Sequence, residues 1–313
     1  MRKNFSGFIL VFLILIAACI SFFLGPAGFS WKELSLPIKL RLPRIILGLY
    51  AGGVLSIVGA TLQGLLQNPL VDPYILGIAS GASLGAAISQ LWGKVGIFTL
   101  PLFEFLGATF AIFGVYFLAQ IKGTITKLSL VLAGVILSFF LSSLVMLFMI
   151  FSQRSFPEII YFLMGRLNLV FTKELLIAFI VFILASIPLL IYLFSLWRAL
   201  NIVSMHEDVA KSLGIDIKKL TTNIFLVSSF LVAGVVSFTG TVSFIGLCVP
   251  HIVRLIYGPD HYKLLPSSFL LGASILIITD LIARSIAPVE LPLSVITALF
   301  GVPFFIYLLK KKL

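Results

Sequence analysis

Charge is the scarcest property of this chain. Of its 313 residues only 11% are Asp, Glu, Lys or Arg, and just 11 are acidic. A water-soluble domain carries about 25% charged residues and at most about half apolar ones. Here 60% are hydrophobic, more than a soluble fold can hide, and the remainder needs lipid to cover it. Cysteine is nearly missing. Cys19 and Cys248 both lie inside apolar runs, and neither belongs to a metal-type spacing. They read as small packing residues, not as a disulfide or a ligand pair. The histidines, His206, His251 and His261, are scattered in or near loops and suit local hydrogen bonding better than metal ligation. No G-x-x-x-x-G-K-[ST] loop and no H-E-x-x-H occurs. These absences exclude ATP hydrolysis by the phosphate-loop route and zincin chemistry. No catalytic residue, no metal set and no cofactor site within this chain is expected.

The net charge of +11 does not mark nucleic-acid binding. The basic residues fall in short clusters between long apolar runs instead of along one face of a domain. They read as loops flanking membrane spans.

A span needs about 20 apolar residues. Such windows fall near 8–24, 45–66, 74–92, 97–119, 129–151, 174–197, 221–240, 242–257, 265–283 and 291–309. The window 242–257 is short and broken by Pro250. The first follows Met1-Arg2-Lys3 and is longer than a signal-peptide core, so it reads as an uncleaved span with a cytoplasmic N-terminus. The stretch 152–173 contains Arg154, Pro157, Glu158 and Arg166 and reads as a surface or re-entrant segment. Ten spans put both termini on one side. Lys and Arg then number 13 on that side and 9 on the other, which favours cytoplasmic termini by a small margin.

Small residues recur every four positions in two spans: Gly48, Gly52, Ser56, Ala60, Gly64, and then Gly77, Gly81, Gly85, Ser89. Each stripe occupies one helix face. Two readings stand: close helix packing, or the wall of a route with room for a bulky solute. Gly53, Ser56, Gly59 and Pro69 recur at one offset as Gly234, Ser237, Gly240 and Pro250. That pairs span two with span seven, as an inverted five-helix repeat would.

Among ionisable groups inside the spans, Asp280 is the strong case, with Arg284 four residues on. That spacing places both on one helix face. Asp280 reads as a structural partner of Arg284 better than as a proton relay, which argues against an ion-coupled carrier. The longest polar segment is 198–220. Ser204 to Glu207 fits a capping box, Lys211 suits a helix end, Gly214 a stop, and Asp216 the cap of a second short helix with Lys218 and Lys219. The segment is either a solvated loop or a docking element for a partner.

These features converge on a resemblance. The chain is similar to the permease subunits of ABC importers for iron-siderophores, haem and vitamin B12. The motifs that carry it are Arg41-Leu42-Pro43-Arg44, Gln67-Asn68-Pro69-Leu70-Val71-Asp72-Pro73 with Leu76-Gly77 and Gly81-Ala82, then Ala210 with Leu213-Gly214. Phe244 to Arg254, Asp280 to Arg284, Glu290-Leu291-Pro292 and Gly301 to Phe305 complete the set. The resemblance implies an all-α integral membrane permease of the type II importer class, a single domain over 1–313 in the cell inner membrane. It implies a homodimer, two cytoplasmic ATP-binding subunits that hold ATP and Mg, and an extracytoplasmic substrate-binding protein. Arg41, Arg44 and Arg284 match arginines that receive acidic residues of that binding protein, and this accounts for the basic outer face. Asn68 and Leu70 match a cytoplasmic gate. The segment 204–219, with Glu207, Ala210, Leu213 and Gly214, matches coupling helices. A second gate falls loosely around Thr126 to Ser129, where no roles are assigned. Cys248 stands where an aliphatic residue is usual. Arg166 stands where a small one is commoner, and it either faces the substrate path or lies on the surface. The alternative is a secondary, ion-coupled carrier.

Overall fold

The computed structural model describes residues 2–23, 41–91, 98–121, 124–151, 164–287 and 289–312. Twelve helices account for most of them. They are α1 (Arg2–Phe23), α2 (Leu42–Leu66), α3 (Ile78–Leu91), α4 (Thr99–Ala119), α5 (Lys127–Phe151) and α6 (Lys173–Ser195). Then come α7 (Trp197–Met205), α8 (Glu207–Ser212), α9 (Ile217–Thr239), α10 (Ile245–Tyr257), α11 (His261–Ser285) and α12 (Leu293–Lys312). Gln120–Ile121 pairs with Thr124–Ile125 in a small antiparallel ribbon before α5. Each of the ten expected windows holds a helix. Six of these, α2, α4, α5, α6, α9 and α11, are long and apolar enough to cross a membrane.

The chain sets its own helix ends. Pro43 sits in the first turn of α2, where a missing N–H costs nothing. Thr172 caps α6 and Asp216 caps α9 through side-chain oxygens. Asp260 caps α11 in the same way. The lipid supplies no hydrogen bonds, so these caps and the helical ladders must satisfy the backbone internally.

Helix α2 is the axis of the bundle. It is buried along most of its length, packed against α11, α10 and α9. Helices α4, α5 and α6 lie outside and present Phe110, Phe139, Ile150 and Leu184 outward. That exposure is what lipid or another chain would cover.

The small-residue stripes prove to be packing seams. A Cβ on Gly52 would overlap the Gly272 carbonyl of α11, and one on Gly85 would overlap the Phe103 carbonyl of α4. Backbone fills the space that the wider reading reserved for a solute. At Gly59 the carbonyl of Gly246 in α10 approaches just as closely.

The order of elements repeats at a shift of five spans. A long α2, a break and a short α3 precede α4 and α5, while a long α9, a break and a short α10 precede α11 and α12. The four residue matches at one offset do not follow this repeat. Pro69 lies in the break after α2, whereas Pro250 lies inside α10. Helix lengths differ between the halves, so a constant offset drifts out of register.

Two further expectations are corrected. Ser204 does not cap a helix: it closes the last turn of α7, its hydroxyl donating to the Asn201 carbonyl, and His206 precedes α8 without a side-chain cap. Lys218 and Lys219 belong to the first turn of the long α9, not to a separate short helix. Of the stretch 152–173, Arg154, Pro157 and Glu158 lie outside the described residues, while 165–172 is non-helical chain leading into α6.

Candidate functional site

Polar residues gather at the two ends of the bundle. At one end the start of α2 meets the ends of α1 and α11. Arg44 donates through Nε to both oxygens of Asp280, at 2.9 and 3.0 Å, and through Nη2 to Oδ1 at 2.7 Å. Its Nη1 reaches Glu290 Oε1 at 2.9 Å. This is a forked guanidinium between two carboxylates, the strong form of such a contact. Arg284 is farther from Asp280, with Nε 3.7 Å from Oδ2. Its Nη2 instead donates to Oγ and the carbonyl of Ser21 in α1. The expected Asp280–Arg284 pair forms, and a closer partner joins it: Arg44, 236 positions away.

Arg41 donates to the Phe22 and Phe23 carbonyls at 2.9 and 3.0 Å. It thereby closes the negative end of α1. Three arginines and two carboxylates leave one net positive charge here. Arg284 is only 4% exposed, so its charge is spent inside the protein. Arg41 and Arg44 are the members that reach outward in part.

Toward the middle, Arg166 is half-buried, and its backbone N–H donates to the Thr239 carbonyl at 2.7 Å. It lies within electrostatic reach of Glu104, a buried carboxylate in the second turn of α4. Glu104 is a second buried carboxylate within the spans, in addition to Asp280. Its signal was available, because it is the one carboxylate in the 97–119 window.

At the other end of the bundle the chain leaves α2 through Gln67, in the left-handed region at φ 54°. Asn68 Oδ1 accepts from Leu70 N at 2.9 Å, an Asx turn. Leu70 is 61% exposed. The Gln67 amide donates to the Val203 carbonyl in α7. Asp72 then caps a 3-10 turn, Pro73–Leu76, by accepting from Tyr74 N at 2.8 Å. A groove of about 700 Å³ opens beside this loop, walled by Gln63, Gln67, Asn68, His251, Arg254 and His261.

Helix α7 is tied to the start of α11 by Asn201. Its Oδ1 accepts from the His261 backbone N–H at 2.8 Å, and its Nδ2 donates to Asp260 at 2.8 Å. That donation holds the Asp260 carboxyl below its usual range. In the segment 204–219, Ala210 is fully buried and Leu213 is 63% exposed. Gly214 takes φ 81°, and its N–H donates to the Lys211 carbonyl. Glu207 forms an ion pair of 2.5 Å with Lys127, the first residue of α5. Thr126 and Ser129 exchange side-chain and backbone hydrogen bonds around the start of α5, which makes them a helix cap.

His251 packs edge-on against Phe304, and His261 bonds Asn201. Among the described residues no three His, Cys, Asp or Glu come together as a metal site would need. Cys248 is buried, but Cys19 lies on the exposed side of α1, so only one of the two is a packing residue.

Comparison with known proteins shows what the chain as a whole is similar to. The model of the FecCD transport family matches residues 6–311. The chain is 38% identical over 273 residues to the cobalamin import system permease protein BtuC of Halobacterium salinarum, covering 87% of this chain and 73% of that one. It is 40% identical over 274 residues to a protein of Helicobacter pylori described as a probable iron chelatin transport system permease, covering 87% and 81%. Among solved structures, an inward-facing conformation of a metal-chelate type ABC transporter superposes with a TM-score of 0.87 at 33% identity. That match covers 99% of this chain and 100% of the other.

Proposed function

The chain belongs to the FecCD transport family, and we propose that it is the membrane-spanning subunit of an ATP-driven importer whose cargo is a metal chelate, such as a ferric siderophore or haem, or cobalamin. The observation that carries this reading is the similarity to import permeases over nearly the whole chain. The sequence agrees, because it holds many apolar spans and no phosphate loop. ATP and Mg belong to separate chains. The ion-coupled carrier is set aside, since the similar proteins are ABC import permeases.

In this proposal two copies enclose the path, and two ATP-binding subunits sit beneath the face that carries 67–70 and 204–219. That face and both termini are cytoplasmic. Asn68 and Leu70 form the gate. Glu207, Ala210, Leu213 and Gly214 couple to the ATPase, with buried Ala210 anchoring α8 and exposed Leu213 offered to the partner. The binding protein docks at the opposite end. Arg41 and Arg44 meet its acidic residues directly, and Arg284 acts by holding Asp280 and α1 in place. Arg166 takes part in the path with its charge opposed by Glu104.

The test is uptake into vesicles that hold the permease with its ATPase. Uptake that stops without ATP and continues when ionophores collapse the ion gradients supports the proposal. Uptake that persists without ATP overturns it. The compound retained by the purified binding protein identifies the cargo.

A further inference from the structure

Gln63 is 3% exposed and sits in the last turns of α2. Its side-chain nitrogen faces three carbonyls: Val71 at 3.1 Å, Leu247 at 3.2 Å and Gly246 at 3.4 Å. Its side-chain oxygen accepts from Arg254 Nη1 at 2.5 Å. Carbonyls on one side and a guanidinium on the other fix which way the amide points. The Gln63 backbone carbonyl also accepts from the N–H groups of Gln67 and Asn68. One residue therefore holds the 67–70 loop from both its ends and fastens it to α10.

These contacts join two places where helices are interrupted, the break after α2 and the start of α10. Buried polar groups at such breaks are costly unless fully paired. Gln63 and Arg254 supply the pairing, and no other side chain bonds the Val71 carbonyl among the contacts described.

We infer that Gln63 and Arg254 are positioning residues for the gate: together they seat the Asn68–Leu70 loop against α10, while α7 holds the same loop at Gln67. The Gln67 bond to the Val203 carbonyl supplies that second attachment. Val203 lies four residues before Glu207, so movement of the coupling segment reaches the loop through Gln67, next to the Gln63 anchor. The inference rests on reading 67–70 as a gate.

The test separates loop seating from transport. In a Cys19→Ser, Cys248→Ala background, a nitroxide is attached at Leu70→Cys in the full-length permease, with Ile150→Cys on α5 as control. Gln63→Leu is expected to shift the label at position 70 from restricted to mobile and to leave position 150 unchanged. Gln63→Glu keeps an acceptor for Arg254 but loses both donors to the loop and α10, so it should loosen position 70 as well. Arg254→Leu should loosen it, and Arg254→Lys, which retains a donor, should restore most of the restriction. If Gln63→Leu does not fold, Gln63→Glu decides. A label as restricted in that variant as in the parent overturns the inference. With the ATPase bound in liposomes, loosened variants should hydrolyse ATP severalfold faster without productive uptake. Unchanged coupling in a variant with a mobile loop overturns the gating role. If the parent complex itself shows no ATP-dependent uptake, the importer reading fails instead, and the label still reports on loop seating.

Discussion

Arg44 Nη2 lies 2.7 Å from Asp280 Oδ1, and through it the start of α2 is fixed to the last turns of α11. Arg284 shares the same carboxylate from 3.7 Å. Asp280→Asn would leave two guanidinium groups with less than their charge balance in a buried site. Removing one partner of a buried pair costs about 3–5 kcal/mol. The expected result is a large fall in melting temperature in detergent. Glu290→Gln should cost below about 1 kcal/mol, because its side chain is 30% exposed. Equal losses in both variants would refute the central place of Asp280.

The Lys127–Glu207 pair links the start of α5 to α8, the helix proposed to couple to the ATPase. Lys127→Glu and Glu207→Lys are each expected to lower ATP-driven uptake by placing like charges in contact. The double variant should recover much of the loss, and the double-mutant cycle reads the interaction directly. Absence of recovery would mean that the two residues act separately.

Charge reversal at Arg41 or Arg44 should weaken association with the substrate-binding protein, more so at low salt, where charges are less screened. Arg284→Gln should act differently and lower thermal stability, since that side chain faces inward. Binding titrations at two ionic strengths, with melting curves alongside, separate the two behaviours.

Gly59→Ala should reduce the yield of folded protein, because the new methyl would meet the Gly246 carbonyl. Gly214→Asn should be tolerated. Open space surrounds that position, and asparagine accepts its left-handed backbone. Gly214→Val should not be tolerated, since a β-branched residue is strained there. Size-exclusion profiles of the three variants distinguish steric overlap from backbone strain.

Much of this was legible in the sequence, where one residue speaks for its own neighbourhood. Asp216 announced a helix cap, though of the long α9 and not of a short helix, and Gly214 the turn before it. Long apolar runs announced the spans, because lipid admits little else. What failed depended on partners far away in the chain. Ser204 fits a capping box by spacing, yet it closes α7, whose length is set by packing on α2 and α11. Glu104 is not singled out by the sequence as Asp280 is, because its meaning comes from Arg166, 62 positions away.

The sequence alone determined that the chain lives in a membrane, crosses it repeatedly and carries no phosphate loop, since composition and periodicity are properties of the linear chain. Only the tertiary structure decided that Asp280 belongs first to Arg44, that the glycine stripes are seams between helices, and that Gln63 holds the 67–70 loop to α10. The contacts that join different helices here link residues tens to hundreds of positions apart, and they exist only once packing has brought those helices side by side.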